Sequence, residues 1–258
     1  MLSFSKFPQE KKEMSQLTFK AEDFFDLSDF EYREIFDGFS NVWEVLPHIK
    51  EFIKKAIKPN VKHIRRDVEV LKTTELENGA ILYKGWFLMD DEIEIKAGAV
   101  LEPGALIWGP AIICENAVLR QGAYIRGSVI VGKKSVVGHT TEMKNAIMIC
   151  ESKAGHFAYI GDSIIGKVNL GAGTKLANFK ITEEEIKINV NGEKIETGLR
   201  KFGAILGDGV STGCNSVMMP GTIIGKNSLV YPNTTVRGFI PKNSVIKLKQ
   251  EIQTQEKR

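Results

Sequence analysis

Stepping by six residues from Met89 gives Met89, Ile95, Leu101, Ile107, Ile113, Leu119, Ile125, Val131, Val137, Met143 and Ile149, an apolar residue at every step. Neither the 3.6-residue period of a helix nor the two-residue period of a strand produces this spacing. Four residues after each comes a mostly small or β-branched side chain: Ile93, Ala99, Ala105, Ala111, Ala117, Ala123, Val129, Ser135, Thr141 and Ile147, with Lys153 breaking the rule. One aliphatic and one small inward position per hexad predict a left-handed parallel β-helix. Each hexad makes one flat side of a prism, three hexads close a coil, and coils stack at the strand spacing of about 4.8 Å. Stacking fills the interior with the aliphatic ladder and pairs the backbone.

The pattern weakens around His156 and resumes with Ile164-Ile165-Gly166-Lys167-Val168-Asn169 and Leu170-Gly171-Ala172-Gly173-Thr174-Lys175. It stops after Leu176, then restarts at Leu206 and continues through Thr212, Met218, Ile224, Val230 and Val236. The interruption, 176–205, reads as an excursion from one coil. Within it IKINV and EKIET flank Asn191-Gly192, a strong two-residue hairpin signal, which predicts a β-hairpin projecting from the prism.

The amino-terminal region follows another rule. Ser28-Asp29-Phe30-Glu31 and Asn41-Val42-Trp43-Glu44 resemble capping boxes ahead of apolar periodic stretches, predicting two helices. The second, over 41–57, gathers Val42, Val45, Leu46, Ile49, Phe52, Ile53 and Ile57 near one face and stops before Pro59. Its expected task is to cap the open first coil or pack on a neighbour, since an uncovered coil end is an unpaired strand edge. The expected division is a helical segment over 1–75, a β-helix over 76–250 and a tail over 251–258.

Composition changes this picture little. With 35 basic against 32 acidic residues the net charge is +3, and no run of like charge suggests nucleic acid as a partner. No apolar run is long enough to span a bilayer and the amino terminus lacks the apolar core of a secretion signal, so a cytoplasmic protein is expected. Cys114, Cys150 and Cys214 are an odd set without CxxC spacing, expected as buried thiols rather than disulfides or zinc ligands.

A specific resemblance is carried by Glu142-Met143-Lys144, Lys153-Ala154-Gly155-His156-Phe157-Ala158-Tyr159-Ile160-Gly161-Asp162 and Val168-Asn169-Leu170-Gly171-Ala172-Gly173-Thr174. Over about residues 95 to 250 the chain resembles the acetyltransferase domain of the bifunctional N-acetylglucosamine-1-phosphate uridyltransferases, with the same order of motifs, interruption and restart. The resemblance implies a homotrimer binding acetyl-CoA between subunits and acetylating an amino sugar phosphate, glucosamine-1-phosphate foremost. It implies His156 as general base; Arg120, Lys144, Tyr159, Asn169, Asn178 and Lys201 as substrate contacts; and Ala172, Cys214 and Lys249 as cofactor contacts. No metal is implied.

The chain departs from that family in several places. The LxxGxGTRM-type nucleotide motif is absent from residues 1 to 88, so sugar-nucleotide synthesis is not expected, and a separate nucleotidyltransferase becomes a candidate partner. Cys214 and Pro232 stand where small residues line the acetyl-CoA cleft, and Pro232 has no N–H to donate. The turn after Asn178 reads NFKI.

The chemistry suits these residue types. Acetyl transfer from a thioester to an amine needs a base, and a neutral imidazole, ordinarily titrating near 6.5, can take the proton. Cations hold the phosphate, a guanidinium in two places and a lysine as a mobile charge. Arg120 and Lys144 are four hexads apart, which predicts different faces of one prism and a phosphate shared only with help from a neighbouring subunit. Two further functions fit the same residues: a sugar-nucleotide acyltransferase with another acceptor, and a non-catalytic trimeric scaffold for a nucleotidyltransferase. The γ-type carbonic anhydrases share the architecture but need three zinc histidines, and only His139 and His156 lie in the repeats.

Overall fold

The computed structural model describes residues 19–62, 74–82, 85 and 87–256. From Ile93 onward the chain winds as a parallel β-helix with three sides. The first side stacks Val100–Leu101, Val118–Leu119, Val136–His139, Lys153–His156, Asn169–Leu170, Ser211–Thr212, Leu229–Val230 and Val245–Ile246 in that order. The second begins with Leu106–Trp108 and Tyr124–Arg126 and ends with Val217–Met218 and Thr235–Val236. The third runs from Ile93–Ile95 and Ala111–Ile113 to Thr222–Ile224 and Phe239–Ile240. Two long strands, Glu142–Met148 and Tyr159–Ile165, turn the corner from the second side to the third.

The inward ladder is the aliphatic series the repeat requires. Leu101, Leu119, Val137 and Ala154 on the first side, Ile107, Ile125, Met143 and Ile160 on the second, and Ile95, Ile113, Val131 and Ile165 on the third are all fully buried. After the excursion Leu206, Met218 and Ile224 continue it.

Register departs from strict hexads in two places. At the start Leu88, not Met89, pairs with Ile107 and is buried. Further on, Val131 pairs with Met148 rather than Ile149. The corner at Asn145, in the left-handed region at φ 47°, uses one residue fewer than the corner at Gly127 and Ser128, and Asp162 at φ 44° repeats the economy in the next coil. Ile147 and Ile149 therefore face outward, Met148 faces in, and Lys153 is exposed on the surface of the first side rather than breaking into the core.

The third side is apolar outside as well as inside. The middle residues of its strands, Ile112, Ile130, Ile147, Ile164, Ile205 and Ile223, point away from the prism and are fully buried. What buries them is the amino-terminal segment, through Phe19, Phe24, Phe25, Trp43, Leu46, Ile49 and Ile53. At about 1.5–3 kcal/mol for each fully buried aliphatic side chain, this row makes one face of the β-helix a strong docking surface for its own chain. Glu94, in the same row, is accommodated because its carboxylate accepts a hydrogen bond from the Lys58 N–H at 2.8 Å. The helices thus cover a side of the prism, while beyond them Asn60 bonds to Ile93 and Ile95 and Val61 is buried with the inward residues of the first coils.

The helices differ from expectation in detail. No helix follows Ser28: the chain forms a short helix at Ala21–Phe24 and a 3-10 turn at Arg33–Phe36. The expected helix over 41–57 is split into a 3-10 turn, Val42–His48, and an α-helix, Ile49–Ala56, because Pro47 lies inside the run and cannot donate to an α-helical ladder. Its amino terminus is fastened as the sequence suggests, with the Glu44 carboxylate accepting the Ser40 and Asn41 N–H groups at 3.0 and 3.1 Å.

The excursion forms the expected hairpin, Lys187–Val190 against Glu193–Glu196, with Asn191 and Gly192 both at positive φ. It does not project. Ile186, Ile188 and Val190 are buried in the same cluster as the amino-terminal aromatics, so the hairpin folds back and extends the cover over the third side.

Candidate functional site

Between the first and second sides, each coil turns through the same two positions. Backbone hydrogen bonds stack Gln121, His139, His156, Ala172, Cys214 and Pro232 in the first position: the N–H groups of Thr140, Phe157, Gly173, Asn215 and Asn233 each donate to the carbonyl of the column residue one coil away. The corner therefore sets His156 directly above Ala172 and Cys214. His139 and His156 are strand partners in adjacent coils. Cys214 is exposed and Cys150 half-buried, so only Cys114 is the buried thiol expected of all three; none is bonded to another.

The second corner position is held in the left-handed region, at Gly122 (φ 71°), Thr140 (φ 47°), Phe157 (φ 43°), Gly173 (φ 73°), Asn215 (φ 58°) and Asn233 (φ 56°). Gly and Asn accept this conformation; a β-branched or aromatic residue is an outlier there. The two outliers immediately follow the two histidines. Phe157 remains 53% exposed, and both imidazoles lie 5.9 Å from its ring. His139 is half-buried, and its Nδ1 lies 3.1 Å from the Gln121 carbonyl, which can only accept, so this contact calls for a proton on Nδ1.

Beyond Phe157 the strand crosses the second side. Tyr159 follows, paired with Glu142 and through it with Tyr124, and Lys144 pairs with Gly161. A side chain on Gly161 would meet the Tyr159 hydroxyl at 2.5 Å and Asn178 Nδ2 at 2.8 Å, so the missing Cβ is what lets these polar groups close over the strand. Asp162, 5% exposed, accepts from Asn145 Nδ2 at 2.8 Å and from Asn178 Nδ2. Burial, with the nearby Glu142 and Asp162 carboxylates, holds the Tyr159 phenol above its ordinary pKa. The side ends in a cleft of about 480 Å³ lined by Leu46, Pro47, Asn145, Asp162, Phe179, Leu199, Arg200 and Lys201.

The sequence candidates therefore fall into two groups. His156, Ala172 and Cys214 share the first corner; Lys144, Tyr159, Asn178 and Lys201 follow one another across the second side to the cleft. Arg120 and Asn169 stand apart from the second group. Asn169 is exposed on the first side, paired with Lys153 and Ser211. Arg120 is also on the first side, its guanidinium about a contact distance (3.9 Å) from where a Gly155 Cβ would lie. Arg120 and Lys144 thus lie on different faces, as their spacing requires. Lys249 lies in the exposed segment after the last strand, Val245–Ile246.

The structure adds one cation that the sequence reasoning missed. Tyr124 and Ile125 pair with Glu142 and Met143, which sets Arg126 one coil below Lys144 on the second side, its guanidinium bonded to Glu142 at 2.6 Å. The signal lay in the coil length, since one whole coil back from Lys144 leads to Arg126, whereas four hexads back leads to Arg120. Among the described residues no cluster of histidine, cysteine and carboxylate side chains could hold a metal ion, and no helix is long and apolar enough to cross a membrane.

The parallel β-helix is built from hexapeptide repeats, and residues 203–238 match the family described as bacterial transferase hexapeptide (six repeats). The relatives are more particular. The chain is 37% identical over 154 residues, 59% of its length and 37% of the relative's, to a bifunctional sugar-1-phosphate nucleotidylyltransferase/acetyltransferase of Sulfurisphaera tokodaii. It is 31% identical over 233 residues, 90% of its length and 52% of the relative's, to the bifunctional protein GlmU of Methanococcus maripaludis. With the corresponding protein of Methanococcus aeolicus the identity is 41% over 123 residues, 47% of this chain and 30% of that one. The chain spans about half or less of the length of these relatives.

Proposed function

We propose that this chain is an acetyl-CoA-dependent N-acetyltransferase acting on a hexosamine-1-phosphate, with glucosamine-1-phosphate the first acceptor to test. The observation that carries the reading is the continuity of the corner and the second side: His156 at the corner, Ala172 and Cys214 continuing its column, and Arg126 and Lys144 stacked in adjacent coils at the far end of the second side. The name of one relative, a bifunctional sugar-1-phosphate nucleotidylyltransferase/acetyltransferase, supports the same class.

In this reading the free amine of the sugar attacks the thioester carbonyl of acetyl-CoA while His156 takes its proton. The C–N bond forms, the tetrahedral oxyanion collapses, the C–S bond breaks, and the proton passes from the imidazolium to the departing thiolate. Arg126 and Lys144 hold the phosphate as a guanidinium and a point charge, and Tyr159 and Asn178 orient the hydroxyls. Arg120 and Asn169 lie on a different side from Lys144, so a phosphate shared between them and Lys144 calls for an adjoining chain, although the Arg120 guanidinium also lies near Gly155, next to His156. That requirement favours a homotrimer in which one chain's first side meets its neighbour's second.

A thiol-release assay with acetyl-CoA against a panel of amino sugar phosphates and amino sugar nucleotides tests the reading. Glucosamine-1-phosphate is expected to be turned over, and His156→Ala is expected to lose at least about a hundredfold in kcat. Turnover of nucleotide-linked sugars alone would replace the acceptor; wild-type turnover in the variant would remove His156 from the mechanism.

A further inference from the structure

Phe157 has no part in the mechanism above, yet its backbone holds a conformation that bulky residues avoid, at φ 43°, and its ring remains 53% exposed. Every other member of its column except Thr140 is Gly or Asn, so the turn itself does not call for an aromatic ring. Strain of this kind persists where something other than local stability maintains it. The ring lies beside the paired imidazoles of His139 and His156, 5.9 Å from each.

We propose that Phe157 is a specificity-determining platform for the acceptor, its exposed ring taking the apolar C–H face of the sugar beside the imidazoles of His139 and His156. The inference rests on the sugar-phosphate acetyltransferase reading. Position selects the acceptor over the cofactor arm. Ala172 and Cys214 continue the corner on one side of His156, whereas His139 lies on the other, and the chain leaving Phe157 leads straight onto the side carrying Tyr159, Lys144 and Arg126. A sugar laid on Phe157 would thus have its amine beside His156 and its phosphate toward the two cations.

The strain supplies a test that separates function from structure. Phe157→Gly relieves the left-handed backbone, so its Tm is expected to equal or exceed that of the wild type. Its KM for glucosamine-1-phosphate is expected to rise roughly three- to tenfold, the value of an aromatic contact, with the KM for acetyl-CoA unchanged. Phe157→Leu should recover part of the loss. A lower Tm with an unchanged acceptor KM would make the ring structural, and a rise confined to the acetyl-CoA KM would assign it to the cofactor; either overturns the platform. Saturation transfer from aromatic ring protons to glucosamine-1-phosphate, lost in Phe157→Gly, reads the contact without turnover. If wild-type protein turns over no amino sugar phosphate but retains that transfer, the acetyltransferase reading falls and the sugar platform stands; absence of the transfer from wild type removes the platform.

Discussion

The second and third sides of the β-helix are built from the same inward ladder and differ in what they present outward. On the third side, isoleucine after isoleucine stands at the middle of the strand, and the chain's own amino-terminal segment and hairpin cover the row. On the second, outward positions are held by Tyr124, Glu142, Tyr159 and Lys175, which stay at the surface. The fold needs only the inward positions, so the outward ones were free to diverge into a docking face and a chemical face. Non-glycine residues enter the left-handed region at corners bordering both sides, but the β-branched and aromatic ones, Thr140 and Phe157, lie on the border of the chemical face, whereas Ser128, Lys134, Asn145, Glu151 and Asp162 flank the third side.

The contrast is broken most directly by placing a carboxylate under the cover and on an uncovered side. Ile147→Asp, in the covered row, is expected to cost more than about 4 kcal/mol or prevent folding, because the carboxylate would be buried without a partner. Lys153→Asp, exposed on the first side, should stay within about 0.5 kcal/mol. Urea unfolding of the two variants compares them; equal losses would mean that the amino-terminal cover is dispensable.

A smaller effect distinguishes the two arginines. Arg126→Ala is expected to raise the KM for the sugar phosphate about tenfold or more, the loss of a charge-assisted contact, whereas Arg120→Ala should change it less than about threefold. Steady-state kinetics at fixed acetyl-CoA measures both, and the reverse order would return the phosphate to the first side.

The smallest effect concerns the cover itself. Burial disfavours the Glu44 carboxylate, but the hydrogen bonds from Asn41 and Ser40 outweigh it and lower its pKa below the ordinary 4.5. A depressed carboxylate stabilises the fold above its unfolded pKa, and the contribution disappears as pH falls through the lower folded value. Glu44→Gln should therefore be less stable than wild type by about 1 kcal/mol at pH 7, with the gap closing below pH 4.5. A gap independent of pH between about 3 and 7 would detach it from this carboxylate.

The β-helix was legible because its inward period is strict: an aliphatic residue at every sixth position suits neither a helix nor an ordinary strand. The register slip left only the break at Lys153 as a trace, since Ile147, Met148 and Ile149 are all apolar. Only the paired strands distinguish them. The docking face was hidden for a related reason, because the inward period says nothing of the residues standing between its members. His156, Ala172 and Cys214 were legible through resemblance and do share a corner. Arg126 was masked by the local likeness of LRQG to a phosphate-binding motif, although a whole-coil step from Lys144 leads to it.

The cover on the third side ties together residues far apart in the order of synthesis. Phe19 packs edge-on against Phe239 at 5.2 Å, Lys226 Nζ reaches the Glu22 carbonyl at 3.0 Å, and the Asp208 N–H donates to the Phe24 carbonyl at 2.9 Å. A growing chain would therefore seat Trp43 and Ile49–Ala56 on Phe202 and the earlier coils while Phe19 and Phe24 still lack their last partners. Coils can stack one by one as they emerge, but this face closes only near the end, which makes Phe19 and Phe24 the surface a chaperone would find on a nascent chain stopped before Asp208.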